Sequence, residues 1–198
     1  VTVTGVDDPQ VDGNVAYTIV TAAATSTDAN YNGLNPADVS VTNQDNDTAG
    51  ITVTPTSGLV TSEAGGKATF TVVLNTQPSG DVMIALSSSD ATEGTVAPTS
   101  VTFTTANWST PQTVTVTGQN DDIDDGDIAY TIMTSAAASS DGNYNGLNPA
   151  DVSVTNTDDD TAGITVTPTS GLVTSEAGGK ATFTVRLNTQ PAADVTIG

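Results

Sequence analysis

Residues Val1–Ala85 recur as Val114–Gly198 at a constant offset of 113, and 66 of the 85 aligned pairs are identical. Self-similarity of this extent fixes the organisation before any local propensity is consulted, because each copy must build the same unit and the units must follow one another in series. Asn30-Tyr-Asn-Gly-Leu-Asn-Pro-Ala-Asp38 returns as Asn143 to Asp151, and Ala49-Gly-Ile-Thr-Val-Thr-Pro55 returns from Ala162. The division expected is therefore residues 1–48 as the C-terminal part of one repeat, 49–161 as a complete repeat and 162–198 as the N-terminal part of the next. A unit of that size is ordinary for one domain. The opening Val-Thr-Val-Thr-Gly5 reads as mid-domain, so the expectation is that a targeting segment lies outside this stretch. Seven of the 19 differences between copies fall between Val6 and Val15, so one loop is where the copies diverge.

Within the complete unit, period-two alternation predicts strands at about 51–55, 68–75, 82–87, 100–104, 112–118, 128–136 and 151–156. The apolar members, among them Phe70, Val72 and Leu74, then Val82, Ile84 and Leu86, then Tyr130 and Ile132, define an inward face. Threonine fills most alternate positions, where its β-branch suits a pleated, solvated surface. No stretch carries a helical period with caps; the alanines at Ala136–Ala138 are the one place for a short helical turn. Seven short strands separated by turn signals give an all-β, tandem, Greek-key, immunoglobulin-like β-sandwich.

Charge narrows the function. Three basic residues stand against 23 acids, for a net charge of −20. A chain so acidic is a poor partner for nucleic acid, whose affinity comes largely from Lys and Arg on phosphates, and for anionic membrane surfaces. No apolar run approaches the ~20 residues of a membrane span. The chain has no Cys and no His, which removes Ser–His and Cys–His nucleophile pairs. Paired carboxylates remain as candidates for glycoside hydrolysis, but no aromatic sugar platform accompanies them; the reading is a non-enzyme.

Twenty of the 23 acids are Asp, a residue of turns rather than strands. If successive strands reverse direction, the loops after the first, third and fifth strands and the end of the seventh share one pole. Those segments hold Glu63; Asp90 and Glu93; Asp121, Asp122, Asp124, Asp125 and Asp127; and Asp158, Asp159 and Asp160, which is 11 of the unit's 14 acids. Carboxylates brought that close repel by ~1 kcal/mol per pair at 4 Å even in water. Hard oxygen donors gathered on loops are what Ca²⁺ takes, with 6–8 ligands at ~2.3–2.6 Å. The bland alternative is a solvated acidic cap. The spacing is not that of an EF-hand, since counting from Asp121 puts Ile123 and Ile132 at ligand positions.

Ser62-Glu-Ala-Gly-Gly66 before an alternating strand, the Asp121-Asp122 pair after Thr-Val-Thr-Val-Thr-Gly118, and the terminal Asp triplet resemble the Calx-beta family. That family occurs in sodium–calcium exchangers and as tandem arrays in bacterial surface proteins and adhesins. The resemblance implies Glu63, Asp90, Asp121, Asp122, Asp125, Asp158, Asp159 and Asp160 as calcium ligands, with Asp8, Asp12, Asp45 and Asp47 in the first copy and Glu176 in the third. The chain departs from the family around Thr92–Thr99, where a Gly-x-Asp-Tyr element is absent. The Asn43-Gln-Asp-Asn-Asp47 segment also resembles cadherin junctions, which implies calcium stiffening between repeats.

The expectation for function is a calcium-stabilised extracellular array forming the stalk of a bacterial adhesin or surface filament. The alternatives are a laterally self-associating sheath and a glycan or protein recognition module. Its partners would be neighbouring repeats of the same chain, with no nucleic acid and no membrane insertion. The first copy, with Asp7, Asp8 and Asp12 and a Pro9 in its divergent loop, is expected to hold fewer or weaker calcium sites. Trp108 is expected to close the pole opposite the acids. Tyr17 and Tyr130 should be core, and Tyr31 and Tyr144 should shape a junction between repeats.

Overall fold

A computed structural model describes all residues 1–198 and is entirely β, with no helix. Fourteen strands follow in chain order. They are β1 (Val15–Ile19), β2 (Val39–Asn43), β3 (Ile51–Thr54), β4 (Leu59–Ser62), β5 (Lys67–Leu74), β6 (Val82–Ser88) and β7 (Gly94–Ala97), then β8 (Ser100–Phe103), β9 (Gln112–Gly118), β10 (Ile128–Thr134), β11 (Ala138–Ser139), β12 (Val152–Thr157), β13 (Ile164–Thr167) and β14 (Thr184–Leu187).

Strands β3 to β12 make two facing sheets. One runs β3-β5-β9-β7 and is antiparallel throughout; the other runs β11-β6-β10-β12-β4, with β8 added on β6. Seventeen buried apolar side chains fill the space between them. The alternation that predicted the strands also sets this core: Phe70, Val72 and Leu74 from β5 meet Val82, Ile84 and Leu86 from β6, with Thr between them facing out. The result is a two-sheet, immunoglobulin-like sandwich.

Three strands lie outside the simple seven-strand pattern. Pro55 has no N–H to continue the β3 ladder, and the chain crosses to the other sheet, where β4 pairs with β12 in parallel, Leu59 opposite Val154 and Ser62 opposite Thr157. Not every strand therefore reverses its predecessor. The second addition, β7, lies along β9, where Gly94 sits against the Tyr130 ring in space that a Cβ would occupy. The third is β11: the alanines expected to hold a helical turn lead instead into a short strand on β6, with Ala137 in the core. Tyr144 is likewise a core residue, buried and hydrogen-bonded through its hydroxyl to Thr76 O (2.7 Å), rather than chiefly a junction residue. Trp108 packs half-buried against the core on the short segment after β8, next to the end of β5, whose Leu74 N–H reaches the Trp108 carbonyl.

The flanking copies reproduce what they can of this. β1 pairs with β2 in the register of β10 with β12, and β13 pairs with β14 in the register of β3 with β5. Each copy reaches the next through its divergent loop. Gln77 N–H donates to Pro9 O (2.8 Å) and Asn143 Nδ2 donates to Val11 O (3.1 Å); one repeat later Gln190 N–H donates to Asp122 O (2.6 Å). The same joint thus forms twice, 113 residues apart.

Candidate metal centre

Four segments meet at the end of the sandwich where β4, β9 and β12 finish and β7 begins. The Ser62–Gly66 turn closes on itself, with the N–H groups of Gly65 and Gly66 both donating to Ser62 O (3.0 and 3.1 Å), and Gly65 takes the positive φ this requires. At the end of β9, Gly118 lies flush against Ser62 O and the Asn156 side chain, where any Cβ would clash. This close approach lets the turn after β4 and the loop after β9 share one space.

Two carboxylate triads result. Glu63, Asp158 and Asp160 form one; Glu93, Asp121 and Asp125 form the other; within each, oxygens from all three residues lie within 4.8 Å of one another. In both, the glutamate is buried and the aspartates are more open. Burial pushes the Glu63 carboxyl up to about 6, with Asp158, Asp121 and Asp160 adding repulsion and the Asp159 N–H opposing. Burial likewise raises Glu93, opposed by its hydrogen bond from Asn156 and reinforced by Asp125, Asp90 and Asp121. Asp160 is raised by desolvation and by four neighbouring aspartates. Asp158 is lowered, because the N–H groups of Asp160 and Gly126 donate to it. Every charge acting on these groups is another carboxylate.

A polar chain runs from the core to the site. The Tyr130 hydroxyl meets Thr61 Oγ1 (3.1 Å), Thr61 donates to Asn156 Oδ1 (2.9 Å), and Asn156 Nδ2 donates to Gln119 O (3.0 Å) and to Glu93 Oε2 (3.3 Å). Asn156 is fully buried, so this chain holds Glu93 against a fixed support. The sequence places Glu93 at the acidic pole without marking it as a ligand, and it does not single out Asn156 at all. Glu93 carried a signal, being one of three glutamates in an Asp-dominated chain. Asn156 carried none, since an Asn at a strand end reads as a turn residue.

The other candidate residues fall in distinct places. Asp90 is in neither triad; its carboxylate is held by the Thr92 hydroxyl (2.5 Å) and N–H (3.0 Å), which lower its proton affinity and tie it into its own turn. Asp122 and Asp159 are exposed beside the triads. In the first copy Asp45 accepts from Gly13 N–H (2.7 Å) and Asp47 N–H (2.8 Å), as Asp158 does in the complete unit. Asp8 caps its loop by accepting from Gln10 N–H (3.0 Å), as Asp121 does from Ile123. With Asp7, Asp12 and Asp47 these residues line an open cavity of about 230 Å³. Glu176 is exposed on the turn equivalent to that of Glu63.

The donor set fits a hard cation: it is all oxygen, anionic, partly buried and presented by turns. It does not offer the N or S ligands of a zinc site.

No protein-family model matches the sequence, and no curated protein matches it either. Among solved structures, the chain is similar to the periplasmic chaperone SfaE (10% identity, TM-score 0.44, covering 56% of this chain and 58% of that one). It is also similar to SSP-19, an MSP-domain protein like family member in Caenorhabditis elegans (16% identity, TM-score 0.39, 54% and 99%), and to domains 4 and 5 of the S-layer protein SbsC (18% identity, TM-score 0.37, 74% and 72%). The chain thus spans 58% of the chaperone's length. These likenesses concern β-sandwich architecture alone. No helix is long and apolar enough to cross a membrane.

Proposed function

We propose that this chain is a segment of an extracellular, calcium-stabilised array of Calx-beta-like sandwiches, each unit spanning about residues 49–161, which acts as the stalk or extender of a surface protein. The observation that carries this reading is the convergence of two carboxylate triads, each anchored by a buried glutamate, from four separate segments onto one end of the unit. Glu63, Asp158 and Asp160 would hold one ion and Glu93, Asp121 and Asp125 another, with Asp122 and Asp159 near enough to add to the field. Calcium supplies neutralisation and a set of fixed oxygen distances; the chain's own residues do the rest. Glu63 ties the end of β4 to the end of β12, and Glu93 ties the start of β7 to the loop after β9. That loop also carries the backbone contact to the next repeat, through Asp122 O. Loading the site would therefore stiffen both the unit and its joint. A load-bearing spacer needs this combination, and a strongly acidic surface with few aromatic side chains suits it better than direct recognition of a ligand.

The test is a melting curve and a small-angle scattering profile of the full chain with calcium, after metal removal, and after metal removal in high NaCl. At ~100-fold excess over Kd, each site present only in the folded state adds ~2.7 kcal/mol. Calcium is expected to raise the melting temperature and hold the maximum dimension. NaCl should restore only part of the stability, because screening relieves repulsion without supplying ligands. An unchanged melting temperature and unchanged dimension on metal removal would reduce the acidic end to a solvated cap.

A further inference from the structure

Two hydrogen bonds hold the first copy to the complete unit, Gln77 N–H to Pro9 O and Asn143 Nδ2 to Val11 O, and both are accepted by the loop's backbone. Any loop sequence can offer those carbonyls, so the side chains around them decide what the joint accepts. The Val11 side chain is half-buried, and with Gln10 it lines one side of a cavity of about 30 Å³; Gln77, Ser79, Asp141 and Asn143 line the other. Asp141 is buried, and its carboxylate accepts from the N–H groups of Ser79 and Asn143, each at 2.8 Å. Burial raises its proton affinity, but these two donors and the Ser79 hydroxyl outweigh that and hold the carboxyl below its ordinary value. It therefore meets the loop as a fixed negative charge, and no Lys or Arg lines the cavity to offset it.

The equivalent loop of the complete unit has a different character. Where the first loop has Pro9, Gln10 and Val11, this one has Asp122, Ile123 and Asp124. Its backbone bond to the next copy is the same, from Gln190 N–H to Asp122 O. In addition, Asp124 Oδ2 accepts from Ala162 N–H (2.7 Å), a bond for which the Val11 side chain has no acceptor. The receiving turn has changed as well. Ser79 and Gly80 become Ala192 and Ala193, which removes the hydroxyl that Asp141 uses and adds a Cβ where Ser140 Oγ leaves no room in the complete unit. Seven of the 19 differences between copies lie in the loop that plugs in, and four more, at Ser79, Gly80, Ser140 and Gly142, lie in the turns that receive it.

We propose that the joints are keyed: the surface around Asp141 accepts the uncharged Pro9-Gln10-Val11 loop and rejects the acidic Asp122-Ile123-Asp124 loop, so that a repeat seats on its own predecessor and not on another. Arrays of near-identical units are prone to misassembly between neighbours, and these copies share 66 of 85 aligned residues. A carboxylate at residue 11 would share a small cavity with Asp141. Like charges placed together in this way reject a wrong partner more strongly than the remaining contacts distinguish a right one. The inference does not rest on the metal reading, because Pro9, Gln10 and Val11 are not equivalents of triad residues.

Amide hydrogen exchange at Gln77 in the full chain reads the joint, since this N–H donates across it. Gln190, which makes the same bond in the other joint, is the internal control. Writing in the acidic loop, Pro9→Asp with Gln10→Ile and Val11→Asp, should lower protection at Gln77 by roughly thirtyfold and leave Gln190 unchanged. That is the effect of one carboxylate ~8 Å from another at the dielectric near a protein surface. The neutral counterpart, Pro9→Asn with Gln10→Ile and Val11→Asn, keeps the shape without the charge and should cost no more than about threefold. Asp141→Asn added to the acidic loop should recover most of the loss, with Asp141→Asn in the natural loop as the reference for its effect on the turn. Exchange along β1 and β2 shows whether the first copy keeps its hairpin; the single substitution Val11→Asp, which retains Pro9, should lower Gln77 protection even if the triple variant loses that hairpin. Equal losses from the acidic and neutral loops, full protection of Gln77 with the acidic loop, or no recovery on Asp141→Asn would overturn the proposal.

Discussion

Leu59–Ser62 and Leu172–Ser175 are the same four residues, Leu-Val-Thr-Ser, yet only the first is a strand. Val114–Gly118 and Val1–Gly5 make the same comparison: identical sequence, strand in the complete unit, no ladder in the flanking copy. The partners explain both cases. β4 needs β12 and β9 needs β5, and each of those lies in the other half of the module. Where both partners fall in the same half, as for β13 with β14 and β1 with β2, the pair forms in the flanking copies too. Strand propensity in this chain is permissive, and a neighbouring strand decides the outcome. The same holds for burial, since identical apolar residues are core in one copy and surface in another.

The comparison breaks most sharply at the tyrosines. Tyr144→Ala should cost the complete unit about 3–5 kcal/mol, the range for deleting a buried aromatic side chain, because it also leaves Thr76 without its hydroxyl partner. Tyr31→Ala, the same residue in the same Asn-Tyr-Asn-Gly context, should change stability by no more than about 0.5 kcal/mol. Thermal melts of the full chain carrying each substitution would check this. Equal losses at the two sites would mean that the flanking copies carry a core of their own.

Much of the architecture was legible because its signals are local. The 113-residue repeat, the alternation along β5, β6 and β9, and the turns between them placed seven strands within a few residues. β4, β7 and β11 were not legible. Each has four residues or fewer and depends on a particular neighbour: β4 on the end of the β3 ladder at Pro55, β7 on the space Gly94 leaves for Tyr130, β11 on the edge of β6. At the acidic end, the sequence located the segments that meet but not their pairing. Asp90 looked like a ligand, and Thr92 turns its carboxylate into a local cap. Glu93 emerges as a triad member only once Asn156 is known to anchor it from the core.

The next effect compares two states of the complete unit, metal-free and calcium-loaded. Glu63 rises from 4.5 to about 6 in the metal-free fold. A carboxyl raised on folding contributes stability that is fully present below its unfolded value and is lost as pH climbs through its folded value. Metal-stripped protein should therefore gain up to about 2 kcal/mol as pH falls from 7 to 4.5. Glu93 and Asp160, also raised, act in the same direction. Asp158, lowered, acts only below its ordinary range and leaves this window unaffected. With calcium the slope reverses, because the ion competes with protons for the same oxygens. Glu63→Gln should flatten the metal-free dependence and forfeit much of the calcium gain. Urea titrations across pH 4.5–7 would measure both slopes, and parallel slopes with and without calcium would remove Glu63 from the metal site.

The smallest effect concerns the loop where the copies diverge most. Sequence alone led to fewer or weaker sites in the first copy, since Asp122, Asp124 and Asp127 are replaced there by Pro9, Val11 and Asn14. The geometry shifts that expectation. The aspartates retained, Asp8 and Asp12, are the equivalents of Asp121 and Asp125, which belong to a triad, while the three replaced do not. Asn14 even keeps the Asp127 contact, its Oδ1 accepting from Asp45 N–H (2.9 Å) as Asp127 Oδ1 accepts from Asp158 N–H (3.2 Å). Writing the first copy's loop into the complete unit takes seven substitutions: Gln119→Val, Asn120→Asp, Asp122→Pro, Ile123→Gln, Asp124→Val, Asp127→Asn and Ile128→Val. Three carboxylates leave and one arrives, a net loss of two. A divalent ion ~8 Å from one lost carboxylate gives up about 1 kcal/mol in water's dielectric, and screening at physiological salt leaves about a third of that. Two such losses weaken binding by roughly threefold. Calorimetric titration should thus return an unchanged number of calcium ions with affinity lowered only a few-fold. Loss of a whole site would show that the aspartates outside the triads are ligands, and that the copies differ in metal content rather than in the field around the metal.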